Sequence, residues 1–328
     1  MRVLVAPDKF KGTASARSLA RAVGRAVTAV GGEPTLMPLA DGGEGTLDAL
    51  GGANRETIVT GPLGDPVPAP WRLERGTAVV EMAAASGLGL VGGPAGNDPV
   101  AASTVGTGEL IGAAVDAGAK QVIVGVGGSA TTDGGFGALR AMYPLPRLRG
   151  VDISVACDVR THFLDAADVF APQKGATVAQ VELLRRRLER LAQVYVDEYG
   201  VDVLDVDRAG AAGGLAGGLL VAGATLLDGF DLVAEHLQLY EAVEAADLVV
   251  TGEGFLDQES FNGKVVGGVQ SYADSAGVPV VAVVGQAFDE MTRRIPTVVL
   301  GDRFGLDRSE AEPEACAEEA VREYLEQV

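Results

Sequence analysis

The sequence predicts an α/β protein of two domains: a discontinuous Rossmann-like domain with a parallel sheet, and a second mixed α/β domain inserted into it. Three observations carry this. Short apolar β-branched runs that stop at proline, glycine or an acid alternate with amphipathic stretches in the first 50 residues, and the same alternation returns after Asp247. Between them, from Arg55 to Asn97, the pattern changes to short alternating runs separated by Gly/Pro turns. At 328 residues and 47% apolar, the chain is long enough for two packed cores. The expected boundaries are 1–62 with 243–328 for the first domain and 63–242 for the insert.

Arg2 to Ala6 reads as a strand ended by Pro7, followed by the polar loop Asp8-Lys9-Phe10-Lys11-Gly12-Thr13. Ser15 is a candidate N-cap for a helix to about Val30, with Leu19, Val23, Ala26 and Val27 on its apolar stripe. Thr35 to Leu39 is the next strand, running into Ala40-Asp41-Gly42-Gly43-Glu44-Gly45-Thr46 and a further helix. A β–loop–α–β–loop–α order makes these strands parallel. In such sheets ligands sit outside the carboxyl ends of the strands, where Asp8, Lys11, Asp41 and Glu44 fall. Thr57–Thr60, Trp71–Glu74 and Thr77–Glu81 read as strands of the insert, with Gly61-Pro62-Leu63-Gly64-Asp65-Pro66 as the hinge leading into it. Thr104 to Ile111 leads into a helix. Ile153 to Ala156 is a strand ending at Cys157-Asp158, and a helix reaches Tyr199 with Arg185-Arg186-Arg187 on a solvated face. Asp247–Thr251 and Val278–Val284 are strands of the returning first domain, and an acidic amphipathic helix follows Glu310.

The richest stretch is Val122 to Arg140. An apolar strand stops at Gly125 and gives way to Val126-Gly127-Gly128-Ser129-Ala130-Thr131-Thr132-Asp133-Gly134-Gly135. Glycines allow consecutive N–H groups to turn inward on an anion, and Ser129, Thr131 and Thr132 add hydroxyl donors. Asp133 is a candidate Mg2+ ligand shared with the phosphates. The helix expected at Phe136 would add positive potential at its start. Gly125, Gly127 and Ala130 also satisfy G-x-G-x-x-A, but no strand ending in an acid follows at the spacing a dinucleotide fold needs.

The formal charge of −19 argues against nucleic acid or an anionic membrane as partner. Two cysteines and two histidines cannot build a disulfide framework or a Cys/His zinc site. MRVLVAPD is too short in its apolar part for a signal peptide, and the uncharged run Ala209–Leu227 is glycine-rich and reads as a buried helix, so a cytoplasmic location is expected. Arginine supplies 21 of 26 basic residues, so the lysines in loops stand out. Lys9, Lys11, Lys174 and Lys264 are compact charges suited to phosphate.

Taken in order, PDKFKG, ADGGEGT, GGSATTDGG, the FAPQKGA run from Phe170, GAAGGL from Gly210, and TGEGFLDQES with Asn262-Gly263-Lys264 resemble the class I glycerate kinases along essentially the whole chain. The Thr104–Ile111 segment is also similar to the family's TxGxGELI. Departures are Lys9 where many members have Ser, Thr132 for Asn, Arg160–Leu164 in place of an Asn-Pro loop, Ala171 for Gly and Phe255 for Arg. The resemblance implies ATP-dependent, Mg2+-assisted phosphorylation of D-glycerate to 2-phosphoglycerate, without the P-loop sequence G-x-x-x-x-G-K-[ST]. The expected site comprises Asp41 or Asp8 as base, with Lys11, Asp8, Asp158 and Lys174 around glycerate. Gly127, Gly128, Ser129, Thr131 and Lys264 would take the phosphates, and Asp133, Glu253 and Asp257 the metal. The alternatives are a kinase for a related small hydroxy acid and a non-catalytic nucleotide- or metabolite-binding protein on the same scaffold.

Overall fold

The computed structural model describes residues 1–327. Its strands are β1 Arg2–Pro7, β2 Glu33–Leu36, β3 Arg55–Thr60, β4 Pro66–Glu74, β5 Thr77–Glu81, β6 Gln121–Gly125, β7 Asp152–Cys157, β8 Thr225–Asp228, β9 Leu248–Leu256, β10 Val280–Ala287 and β11 Thr297–Val299. They form two sheets, ordered β11-β10-β9-β1-β2 and β3-β4-β5-β6-β7-β8. One compact unit comprises Met1–Asp41, Asp48–Leu50 and Phe230–Val328, and the other Gly42–Leu47 with Gly51–Gly229.

The first unit is a parallel sheet throughout. Its chain moves from β1 to β2 on one side and resumes at β9 on the other, so the strand order reverses between β1 and β9. Val3, Val5, Val250, Val281 and Val283 pack on one face against the helices Ala16–Ala29 and Pro313–Leu325. Ser15 caps the first of these, accepting from Ser18 N at 3.1 Å as the sequence suggests. Alternation sends Leu4, Val249, Ala282 and Val284 to the opposite face, where the helix Val265–Ala276 lies. β2 is shorter than the expected Thr35–Leu39 strand. Even so, Met37 and Leu39 continue to donate to the carbonyls of Val5 and Pro7 at 2.8 and 2.9 Å, guiding the chain to Asp41.

In the second unit β3, β4 and β5 pair antiparallel, and β5 through β8 pair parallel. This moves two expectations. Gly61–Pro66 is no hinge; it is the turn of the β3–β4 hairpin, with Gly61 N on Asp65 O at 2.7 Å. β3 therefore belongs to the second sheet, and the crossing between units falls at residues 41–51, not 62. On the return it falls at Gly229–Phe230, which brings the helices Gly229–His236 and Leu239–Glu244 largely into the first unit.

Helix packing in this unit relies on bare backbone. A methyl at Gly106 would lie 2.0 Å from Thr60 O, and one at Gly108 2.3 Å from Ala138 O, so the glycines of Thr104–Leu110 serve close packing. The Gly210–Leu215 segment is a kink at the start of the buried helix Ala211–Val221. Ala212, Gly213 and Gly214 all have positive φ there, and a methyl on Gly213 would meet Thr131 O at 2.0 Å. Gly200 shares the φ of +71° but has open space around it. Gly200→Ala should cost about 1–2 kcal/mol for the left-handed backbone alone. Gly213→Ala should cost roughly 2–3 kcal/mol more because a carbonyl blocks its methyl. The difference in urea midpoint between the two variants measures this.

Candidate active site

The reversal of strand order places two acids side by side, one just past the carboxyl end of β1 and one in the carboxyl half of β9. Pro7 is in register with Gly252, and Asp8 N donates to Gly252 O at 2.8 Å, so Asp8, just past the end of β1, lies beside Glu253 within β9. Asp8 is buried, and its Oδ1 accepts from Lys9 N at 2.6 Å with Lys9 Nζ at 3.7 Å. Burial pushes its carboxyl up to about 6, against the opposing pull of Lys9, and the charge of Asp41 raises it further. Glu253 is pushed up to about 7, again by burial first, with a hydrogen bond from Ser260 opposing and Asp8 adding repulsion. Its Oε1 is buried without a hydrogen-bond partner, which is costly for a group that ionises. Asp41, delivered by the β2 extension, is buried in the same neighbourhood.

Lys264 stands at the N-cap of Val265–Ala276, and its charge is felt by both Asp8 and Glu253. A cation at the positive end of a helix is locally unfavourable, so an anion drawn to this point gains from both. Asp257 shapes the loop before that helix: its Oδ1 accepts from Ser260 N at 3.0 Å and Ser260 Oγ at 3.3 Å. Lys11 is exposed, on a loop whose backbone packs against Gly254. The cation nearest Asp8 is Lys9, which the sequence offers as a charge suited to phosphate but not as a residue of the expected site.

The glycine-rich loop lies in the second unit, and only part of it has the form of a phosphate cradle. The N–H groups of Gly127, Gly128 and Ser129 have no backbone carbonyl partner among the described residues. The loop is held by Val126 N on Gly42 O, Leu88 N on Gly128 O and Ala130 N on Ser86 O, at 2.8–3.1 Å. A methyl on Gly128 would come 2.1 Å from Glu44 Oε1, so a carboxylate lies over this glycine. Glu81, a second acid not singled out in the sequence, accepts from Gly45 N at 2.8 Å and Leu47 N at 2.7 Å and fixes the ADGGEGT turn.

Beyond Ser129 the loop turns inward. Thr131 and Thr132 are buried, and Gly134 and Gly135 pack on Leu191, Phe163, Leu215 and Gly218. Asp133 accepts from Ser103 Oγ, Thr104 N, Thr104 Oγ1, Gly135 N and Gly137 N. Five protein donors saturate its oxygens, so Asp133 ties two helix starts together and has no lone pair to spare for a metal. The helix that follows, Phe136–Ala141, is a short six-residue piece. Asp158 is exposed just past β7, and the neighbouring ion pair Arg208–Asp228, at 2.9 Å, is a further charged feature that motif reading missed.

Lys174 is not on a loop surface. It is 2% exposed and donates to Thr131 O at 2.6 Å, with Asn97 Nδ2 bracing its carbonyl at 2.9 Å. Burial pulls its ammonium down to about 7, with Asp133 opposing. A lysine lowered on folding makes the unfolded chain bind more protons between pH 7 and 10.5. Stability should therefore rise with pH across that window, by up to ~1.4 kcal/mol per unit. Lys174→Met should flatten this slope in urea titrations at pH 7, 8 and 9.

Known proteins resemble the chain over most of its length. The family model described as "Glycerate kinase family" matches residues 3–143 and 144–328. A glycerate kinase of Bacillus subtilis is 41% identical, over 87% of this chain and 85% of its own length. The glycerate 2-kinase of Escherichia coli is 38% identical, over 89% and 87%. A crystal structure described as a glycerate kinase 2 from Salmonella typhimurium LT2 covers 100% of both chains, with a TM-score of 0.83 and 34% identity. Agreement in sequence and in fold along the whole chain leads to one conclusion: it belongs to the glycerate kinase family.

Proposed function

We propose that the protein is a glycerate kinase that transfers the γ-phosphoryl group of ATP to the 2-hydroxyl of D-glycerate. The observation that carries this reading is the acid pair Asp8 and Glu253 at the β1/β9 reversal, with Asp41 and Lys264 beside it. Phosphoryl transfer needs positioning, charge neutralisation and an acceptor for the hydroxyl proton more than covalent chemistry. Family membership supports ATP as the donor.

Asp8 is the base we favour, with Asp41 as its partner in the role. A carboxylate raised to about 6 by burial accepts a proton more readily than an ordinary one, yet is ionised at neutral pH. Lys264 and the start of its helix neutralise phosphate, and Lys9 or Lys11 faces the glycerate carboxylate. In the second unit the N–H groups of Gly127, Gly128 and Ser129 remain the phosphate candidates, while Thr131 and Lys174 hold the loop from inside.

Among the described residues no three His, Cys, Asp or Glu side chains converge as a metal cage. Mg2+ is usually held by one or two carboxylates together with phosphate oxygens, and the partnerless Oε1 of Glu253 fits that pattern, with Asp257 beside it. A bound Mg2+ would supply neutralisation of phosphate charge there.

One observation favours a second acceptor. Phe255 stands where the resembling motif has arginine, and it meets Phe288 edge-on with ring centroids 5.0 Å apart, both exposed. An apolar pair in place of a cation suits a hydroxy acid with a less polar tail. ADP release should be measured with ATP, Mg2+ and D-glycerate, then with 2-hydroxy acids of increasing chain length. Asp8→Asn, Asp41→Asn and Lys264→Ala should each lower kcat by roughly 100-fold or more while thermal unfolding is retained. In the wild type kcat should rise with pH through about 6 as Asp8 deprotonates. Turnover unaffected by all three substitutions would remove the proposed site; turnover only with longer acids would select the second acceptor.

A further inference from the structure

The second unit contains a cavity of about 1240 Å³ that the proposed reaction does not use. Its walls are mostly apolar, with Leu191 and Val194 from the helix Val178–Val194 and Phe136 from the helix Phe136–Ala141. Gly127, Gly128 and Ser129 are absent from its lining.

Four arginines line it: Arg140, Arg186, Arg187 and Arg190. Among the described residues none of the four forms an ion pair. Arg185, their neighbour outside the cavity, does pair, with Glu182 at 2.9 Å. Arg186 and Arg187 donate only to the carbonyls of Glu182 and Val100, at 3.3 and 2.8 Å, leaving most of each guanidinium's donors open. The two acids on the lining are held by other donors and pair with none of the four. Glu109 accepts from Thr60 N at 2.7 Å and Thr60 Oγ1 at 3.0 Å, and Asp133 is saturated as described above. In a chain of formal charge −19, four arginines against two carboxylates leave the lining of this apolar hollow net positive, a local field that attracts anions.

A second, independent feature points the same way. Thr132 lines the cavity at 1% exposure, and its Oγ1 has no hydrogen-bond partner. A buried hydroxyl without a partner costs free energy unless something in the adjoining space bonds to it. An apolar hollow with a few convergent polar groups is the usual form of a small-molecule site.

We infer that this cavity is a second ligand site, for an amphipathic organic anion: a carboxylate, sulfonate or phosphate group held by the arginine fork geometry, on an apolar body seated against Leu191, Val194 and Phe136. Arginine suits such a head group because its planar donors can bind two oxygens at once.

The probe is 1-anilinonaphthalene-8-sulfonate, titrated by fluorescence into the full chain. Saturable binding at one site is expected, weakened roughly tenfold in the double variant Arg186→Ala/Arg190→Ala and weakened by added salt. N-phenyl-1-naphthylamine, which has the same rings without the sulfonate, should bind more weakly and be indifferent to the arginine substitutions. Circular dichroism and thermal unfolding establish that the double variant is folded; its substitutions lie on an exposed helix face. Unsaturable binding, or equal affinity in wild type and double variant, would overturn the inference. Displacement of the probe by saturating ATP would overturn its claim to be a second site.

Discussion

The pairing of β1 with β9 is the constraint on which the first unit depends. It joins segments about 245 residues apart, in parallel, from Val3 with Leu248 to Pro7 with Gly252. Arg2 locks the register at its start: its N–H and guanidinium both bind Asp247, whose own N–H returns to Arg2 O at 2.8 Å. Because the register is set, Asp8 and Glu253 must be neighbours, and because the strands are central, Asp8 is buried and Glu253 half-buried with its Oε1 fully enclosed. The raised proton affinity of each follows first from burial, with repulsion by Asp41 on Asp8 and by Asp8 on Glu253 as smaller additions. A one-residue slip would turn the valines of both strands to the wrong face of the sheet, so the hydrophobic core itself enforces the geometry of the acids.

The second unit solves a different problem. With 46 glycines and 5% aromatic residues, the chain builds much of its interior from backbone against backbone, not from large side chains. Gly106 on Thr60, Gly108 on Ala138 and Gly213 on Thr131 are contacts that no Cβ permits. Such close approach leaves polar groups far from water, and they are satisfied internally: Asp133 by five donors, Thr131 O by Lys174, and the turn at Gly45 by Glu81. Much of the conspicuous glycine, hydroxyl and acid content of the loop is therefore architectural. Among the described residues the N–H groups of Gly127, Gly128 and Ser129, at the glycine-rich start of the loop, have no backbone carbonyl partner.

Charge in this acidic protein is used by position. Lysines sit where a single compact cation suffices, at Asp8, at the start of the helix Val265–Ala276 and inside the second unit. Arginines cover surfaces, pairing across helices in the first unit, as Arg17 does with Asp48 and Arg25 with Glu318.

Several things were determined by sequence alone. Periodicity and punctuation are local properties, so the parallel strands at both chain ends, the Ser15 cap and the run of strands after Arg55 could be read directly. Ordered motifs identified the family, and the acids at strand ends were legible because loops after parallel strands carry ligands. Tertiary structure alone decided which of those residues are free to act. Asp133 and Lys174 look like Asp8 and Lys264 in one dimension, each a charge in a motif-like loop. The difference is whether the fold supplies donors or acceptors to satisfy the charge, and that depends on partners remote in sequence, such as Thr104 for Asp133 and Thr131 for Lys174. For the same reason the Gly61–Pro66 turn could not be told from a hinge: its identity rests on which strand β3 chooses, a choice made by the packed sheet.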